Sequence, residues 1–205
     1  MIYDMHTWQL VPGALPDVLR RLGEACEARR EFMDLAACWF TELGPLNRIV
    51  AIWRFDSVED RARRCEQAER LAAWPRELIA QVAEMESAVF TRCSFSPAFT
   101  PGVKGPYYEL RQYKVKPETK DDLFAAWSER IDARVAVSPL SVAMYAEGTD
   151  ADTFVHIWPY ETLNQRKDVR DHAIAAGLWP PRGGADRFLS QENMILLPAP
   201  FSPAQ

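Results

Sequence analysis

The sequence predicts an α+β fold built from two tandem ferredoxin-like units, each with the element order β-α-β-β-α-β. The first observation is an internal repeat: residues 49–61 and 154–166 are related by an offset of 105 and share Val, Ile, Trp and Arg at four positions. The second observation is that Trp74 and Trp179, each followed by proline, recur at the same offset. We therefore interpret the 205-residue chain as a duplication that covers almost its whole length.

Each element of the first repeat has a local signal. An opening strand with period-two alternation ends before Pro12, and an apolar stripe at helical spacing continues to Cys26. Ser57 followed by Asp60 predicts the N-cap of a second helix. The predicted strands cover residues 2–11, 36–43, 48–55 and 87–93.

The second repeat has the same series of signals. Thr119 with Asp122, and Thr162 with Gln165, predict the N-caps of its two helices. The predicted strands cover residues 108–116, 141–147, 153–160 and 194–197. We place the first unit at residues 1–95, a Pro/Gly-rich linker at 96–106, the second unit at 107–198 and a tail at 199–205.

The duplication also predicts how the units associate. A ferredoxin-like sheet has helices on one face only, so the other face stays exposed unless another sheet covers it. Two tandem copies can cover each other. We therefore expect an intramolecular pseudo-dimer, in which two sheets form one α/β-barrel with the helices outside.

Composition and charge exclude several classes of protein. The net charge is −5, and Arg and Lys are interleaved with Asp and Glu, so no basic stripe is available for nucleic acid. No apolar run approaches the roughly 20 residues that span a bilayer, and no leader follows Met1. We expect a cytoplasmic protein. The four cysteines lie in the first half without C-x-x-C spacing, which favours small buried hydrophobes in a reducing compartment.

Four motifs resemble the NIPSNAP family. They are YELRQYKVKP at residues 108–117, WFTELGPLNRIVAIWRF at 39–55, HIWPYETL at 156–163 and QENMILLP at 191–198. The resemblance implies a dimeric α/β-barrel domain, here doubled, and mostly ligand, protein and vesicle-associated roles without a catalytic set that can be transferred. Ala51 replaces a histidine that is frequent in the family, and the second repeat lacks the GPLN turn. We therefore expect unequal halves.

His156 is the first candidate catalytic residue. It shares a strand face with Trp158, opposite Val155 and Ile157. Because the β-branched pair suits packing against helices, we assign the face of His156 to the barrel lumen. An imidazole there could act as a general base near pH 7, and a hydrogen-bonded core histidine is the alternative.

Two glutamates are further catalytic candidates. Glu42 and Glu147 stand at matching positions of the repeats, where two carboxylates facing one cavity could serve acid/base chemistry. A structural role at the start of the loop after the second strand is the alternative.

Six side chains are predicted to bind a substrate through their aromatic or polar character. Arg111 could orient a carboxylate or enolate, and an ion pair with Glu109 or Glu147 is the alternative. The predicted substrate-binding residues are His6, Trp8, Arg111, Tyr113, Tyr145 and Trp158. No H-E-x-x-H motif or paired histidine spacing occurs, so neither a metal nor a cofactor is predicted.

The leading functional hypothesis is a small-molecule site in the barrel lumen. An aromatic or enolic ligand would suit such a site, and an enzyme of this kind would be a cofactor-independent monooxygenase or isomerase. The alternative is a non-catalytic protein-interaction or assembly module, whose barrel is filled by side chains such as the seven tryptophans. A homo-oligomer of the pseudo-dimer is a further expectation.

Overall fold

The computed structural model of the protein describes residues 1–71, 74–149 and 151–205. These residues form eight β-strands and five α-helices. The strands are β1 (Ile2–Leu10), β2 (Asp34–Leu43), β3 (Arg48–Phe55), β4 (Val82–Arg92), β5 (Tyr107–Val115), β6 (Val142–Ala146), β7 (Asp152–Tyr160) and β8 (Phe188–Pro198). The helices are α1 (Leu15–Arg29), α2 (Val58–Leu71), α3 (Arg76–Ile79), α4 (Lys120–Val135) and α5 (Leu163–Ala175). None of these described helices combines the length and apolar character needed to cross a membrane.

The strand order within each unit is that of a ferredoxin-like sheet. It is β4-β1-β3-β2 in the first unit and β8-β5-β7-β6 in the second. β3 lies antiparallel between β1 and β2, and β7 lies antiparallel between β5 and β6. The predicted fold class, a tandem pair of ferredoxin-like units of the α/β-barrel type, is confirmed. The last strands are longer than predicted, because β4 and β8 begin several residues earlier.

The compact units do not coincide with the two repeats. The first contains Met1–Phe90, Thr100–Val103 and Leu196–Gln205, and the second contains Thr91–Phe99 and Lys104–Ile195. Each unit therefore includes the Phe-Ser-Pro-Ala segment that follows the other repeat. The boundaries predicted from the sequence follow the repeat. As boundaries of separable domains they stay a prediction.

Equivalent serines anchor these exchanged segments. In the first unit, Ser202 Oγ accepts a hydrogen bond of 3.0 Å from the backbone N–H of Cys38. In the second, Ser96 Oγ accepts one of 2.7 Å from the backbone N–H of Ala143. Both serines are buried. The segments predicted as linker and tail thus satisfy buried backbone donors of β2 and β6.

The helices cover the face of each sheet that was assigned to the lumen. Trp8 of β1 belongs to the same core cluster as Leu22 of α1. The ring of His156 on β7 lies 4.8 Å from that of Trp127 on α4. The predicted orientation of these strands is therefore wrong. Alternation shows which residues share a face, but residues on both faces of β7 are buried, so apolar character does not identify the helix-covered side.

Two of the three predicted helix caps are confirmed. Ser57 Oγ and Thr162 Oγ1 each accept a hydrogen bond, of 3.1 and 3.0 Å, from the backbone N–H three residues later. Thr119 stands at the predicted N-cap position of α4, but its side chain does not cap the helix, because its hydroxyl donates to the carbonyl of Lys116 over 2.9 Å. That bond turns the side chain away from the first turn of α4.

All four cysteines are free thiols. Cys38 and Cys93 are buried, whereas Cys26 and Cys65 are half-buried. Burial raises the pKa of Cys93 to about 12. These thiols therefore stay protonated at neutral pH, as expected for small hydrophobic side chains.

We predict that Ser202→Ala destabilises the protein by about 1–3 kcal/mol, because the substitution leaves the buried N–H of Cys38 without an acceptor. Urea denaturation followed by circular dichroism measures the change. Ser94→Ala is the matched control, since Ser94 is exposed. Equal stability of the two variants would show that the exchanged segment is not anchored by this hydrogen bond.

Candidate functional site

The second unit contains a cavity of about 300 Å³ on the helix-covered face of its sheet. Residues of β5 and β7 form its floor, and α4, α5, the segment after α5 and the start of β8 contribute the walls. The aromatic lining residues are Tyr113, Trp127, Trp158, Tyr160, Trp179 and Phe188. The charged lining residues are Glu109, Arg111, Arg134, Arg170 and Arg187.

The pairing of β5 with β7 brings the floor residues together. Glu109 is opposite Trp158, and Arg111 is opposite His156. In an antiparallel sheet such opposed side chains are direct neighbours on one face. Local alternation on two strands therefore places a carboxylate, a guanidinium and an imidazole side by side.

Glu109 is the centre of a charged cluster under the helices. Its side chain is 1% exposed. Its Oε1 accepts hydrogen bonds from Arg166 over 2.5 Å, from Arg111 over 3.1 Å and from Asn193 over 3.2 Å. Its Oε2 lies 3.9 Å from Arg170. One carboxylate thus attracts guanidinium groups from β5 and from α5.

Arg134, at the end of α4, adds a further positive charge. It is buried, and it donates hydrogen bonds of 3.4 Å to the Ser138 carbonyl and to the Tyr160 hydroxyl. Its guanidinium lies 4.2 Å from the centre of the Trp158 ring. Within the described residues no carboxylate comes within 4.0 Å of it. Burial lowers the pKa of Arg134 from its ordinary value, but a guanidinium remains charged at neutral pH.

His156 is a neutral hydrogen-bond donor at this cavity. Its Nδ1 accepts a bond of 2.6 Å from Nε1 of Trp158, and an indole nitrogen can only donate. The proton of the neutral imidazole is therefore on Nε2, which has no hydrogen-bond partner among the described residues. Burial, and next the positive charge of Arg111, lower the pKa of His156 well below its usual range. The predicted general-base role is not supported, because neither ring nitrogen has a free lone pair.

Three other predicted site residues do not line the cavity. Glu42 is exposed at the end of β2, in the first unit. Glu147 is also exposed and pairs with Lys120 over 2.6 Å. Tyr145 is buried, and its hydroxyl donates to Asp152 over 2.5 Å. Neither glutamate is therefore placed for acid/base chemistry in this cavity.

His6 and Trp8 belong to the first unit, where the equivalent face has a different environment. Asp4, the counterpart of Glu109, pairs with Arg61 over 2.6 Å and with His6 over 3.2 Å. The ring of Trp74 lies 6.0 Å from that of Trp8. Both units therefore have a carboxylate on the first strand, Asp4 or Glu109, paired with an arginine on the helix, Arg61 or Arg166.

The units differ in charge at other equivalent positions. Cys65 stands where the second unit has Arg170, and Ala51 stands where it has His156. The second unit thus has an extra cation and an extra donor on this face. The expectation of unequal halves, which the resemblance suggested, is met by these residues.

Four of the predicted residues line the cavity, namely Arg111, Tyr113, His156 and Trp158. Arg134, Arg166 and Arg170 are not among the site residues predicted from the sequence, because helical spacing alone does not distinguish a buried arginine from a solvated one. A signal was available for two of them, since Arg134 and Arg166 have arginine counterparts 105 residues earlier. Arginine retained on a helix of both repeats indicates a buried ion pair rather than a solvated face.

Solved structures share this architecture over nearly the whole chain. An anthrone oxidase-like protein matches with a TM-score of 0.67 at 9% identity, covering 96% of this chain and 90% of that one. A proposed monooxygenase from Lactobacillus acidophilus matches with a TM-score of 0.63 at 8% identity, covering 96% and 92%. At such identities the likeness concerns the fold.

Curated relatives and a family model match the sequence itself. A NipSnap homolog from Dictyostelium discoideum is 22% identical over 186 residues, which cover 87% of this chain and 78% of that protein. NipSnap homolog 3B from Homo sapiens is 24% identical over 213 residues, which cover 98% and 85%. The NIPSNAP family model matches twice, at residues 3–97 and 108–203. The chain therefore belongs to the NIPSNAP family and contains two tandem copies of its domain.

Proposed function

We propose that the second unit binds a small organic anion with an aromatic or enolic body in the cavity beneath α4 and α5. The observation that carries this proposal is the excess of guanidinium groups in the lining, where four arginines accompany one carboxylate. Arg111 pairs with Glu109 and Arg170 is 35% exposed, whereas Arg134 is buried, and buried charges in proteins are normally paired. A bound anion would supply the missing negative charge.

The walls favour a flat, largely apolar ligand body. Trp127 and Trp158 each contact the ring of Trp179, with centroid distances of 4.6 Å and 6.2 Å. A cavity of about 300 Å³ lies at the small end of the range for small-molecule sites. Aromatic rings and guanidinium groups both stack on planar ligands.

His156 provides orientation as well as polarity. Its Nε2–H is buried and has no partner within the described residues, and we assign a ligand oxygen as its acceptor. A carboxylate or an enolate has such an oxygen. The neutral imidazole would therefore donate to the ligand without adding to the cationic charge.

Enzymatic activity would require a further step on the bound anion. Stabilising an enolate relative to its neutral form is the first requirement of cofactor-independent oxygenation or isomerisation. The anthrone oxidase-like protein and the proposed monooxygenase share only the fold with this chain. Any catalytic role that we propose therefore rests on the arginines that line the cavity, and not on the shared fold of those two proteins.

Because the cavity is open and lies under the helices, we favour ligand binding there over an assembly module whose interior is filled by side chains.

Isothermal titration calorimetry with benzoate and with benzamide tests the charge requirement. We expect benzoate to bind and its neutral isostere to bind at least tenfold more weakly. Arg170→Gln should reduce benzoate affinity about tenfold, because one cation of the lining is removed. Arg63→Gln is the matched control, since Arg63 is exposed on α2. Equal binding of benzoate and benzamide would contradict the proposal.

Two substitutions distinguish the hydrogen-bond donor of His156 from the size of its side chain. His156→Leu removes the Nε2–H, and we expect benzoate affinity to fall about tenfold. His156→Gln retains a side-chain N–H and should lose less. The same titration measures both variants. If the two variants bind benzoate equally, the histidine proton does not contact the ligand.

Burial of neutral His156 also predicts a pH dependence of stability. The folded-state pKa lies well below its usual range, whereas the unfolded chain takes up a proton near pH 6.5. The stabilisation is therefore complete above about pH 6.5 and is lost as the pH falls below it. Relative to His156→Gln, wild-type unfolding free energy should fall by about 1–2 kcal/mol between pH 7 and pH 5. Parallel curves from urea denaturation would show that the folded-state pKa of His156 is not lowered.

A further inference from the structure

Beside a buried helix arginine the first unit has a carboxylate, and the second unit has none at the equivalent position. Arg29 at the end of α1 is buried, and its Nη2 lies 3.3 Å from Oε1 of Glu69 on α2. The residues 105 positions later are Arg134 and Ile174. Ile174 lines the cavity of the second unit. An isoleucine cannot pair with the arginine, so this ion pair is absent there.

The remaining surroundings of Arg134 do not replace the carboxylate. Its two hydrogen-bond acceptors are neutral, and both bonds are 3.4 Å long. Arg170, in place of Cys65, adds positive charge to the same lining. The equivalent arginine of the first unit thus has an anionic partner, whereas Arg134 faces a cavity.

We infer that a ligand carboxylate binds beside Arg134, at the position that corresponds to the carboxylate of Glu69 beside Arg29. The ligand class is then an aromatic carboxylic acid, whose planar body packs against the lining tryptophans Trp127, Trp158 and Trp179. This inference rests on the proposed function and narrows it to one anionic group and one anchoring arginine. The position of Glu69 in the first unit thus indicates where the ligand carboxylate binds in the second.

Ile174→Glu in the full-length chain tests this inference, with Ile174→Gln as the control of equal size. Ile174 is 57% exposed, so neither substitution disturbs the core. Without ligand, we expect Ile174→Glu to have a Tm about 2–4 °C above that of Ile174→Gln at pH 7. The difference should be complete above the unfolded carboxyl pKa near 4.3 and should disappear as the pH falls through the lower folded-state pKa of the paired carboxylate. Differential scanning calorimetry measures both effects.

Benzoate titration of the same variants provides the second measurement. The new carboxylate should occupy the ligand position, and benzoate affinity should fall at least tenfold in Ile174→Glu relative to Ile174→Gln. The reciprocal control is Glu69→Gln in the first unit. That substitution should lower the Tm without changing benzoate affinity.

The possible failures are distinguishable. If Ile174→Glu matches Ile174→Gln in both Tm and benzoate affinity, the inference about Arg134 is overturned while the proposed function stands. If benzoate binds neither the wild type nor Ile174→Gln, the proposed function and the inference are overturned together. If Ile174→Glu has a higher Tm and loses benzoate binding while Ile174→Gln does neither, the proposed function and the inference are both supported.

Discussion

An ion pair between the first strand of each unit and its second long helix is the interaction on which the structure depends. Asp4 holds Arg61 over 2.6 Å in one unit, and Glu109 holds Arg166 over 2.5 Å in the other. Both carboxylates are almost fully buried, and removing one partner of a buried pair leaves an uncompensated charge. This constraint explains why the repeated segment at residues 49–61 ends in an arginine that recurs 105 residues later.

The same ion pair has different surroundings in the two units. In the first, Arg29 is paired with Glu69, so the charges under the helices are largely balanced. In the second, Arg134 and Arg170 add cations without adding a carboxylate. The duplicated scaffold thus has nearly balanced charges in one copy and an excess of cations in the other. Function in a shared fold then follows from the residues of the site.

The two Phe-Ser-Pro-Ala segments are exchanged between the repeats. Each segment follows one repeat in sequence but satisfies backbone donors in the other compact unit, through Ser96 and Ser202. Unpaired strand backbone groups favour unwanted association. Reciprocal use of the segments covers such groups within a single chain.

The sequence by itself determined the duplication, the order of the elements, two of the helix caps and the sets of residues that share a strand face. These features depend on local spacing and on comparison of the chain with itself. Only the tertiary structure decided which sheet face the helices cover, because both faces are buried and equally compatible with apolar residues. It also decided that Arg134 and Arg170 meet Arg111 at one cavity, since residues on separate helices converge only through packing. The donor state of His156 likewise depends on Trp158, whose indole occupies the other ring nitrogen.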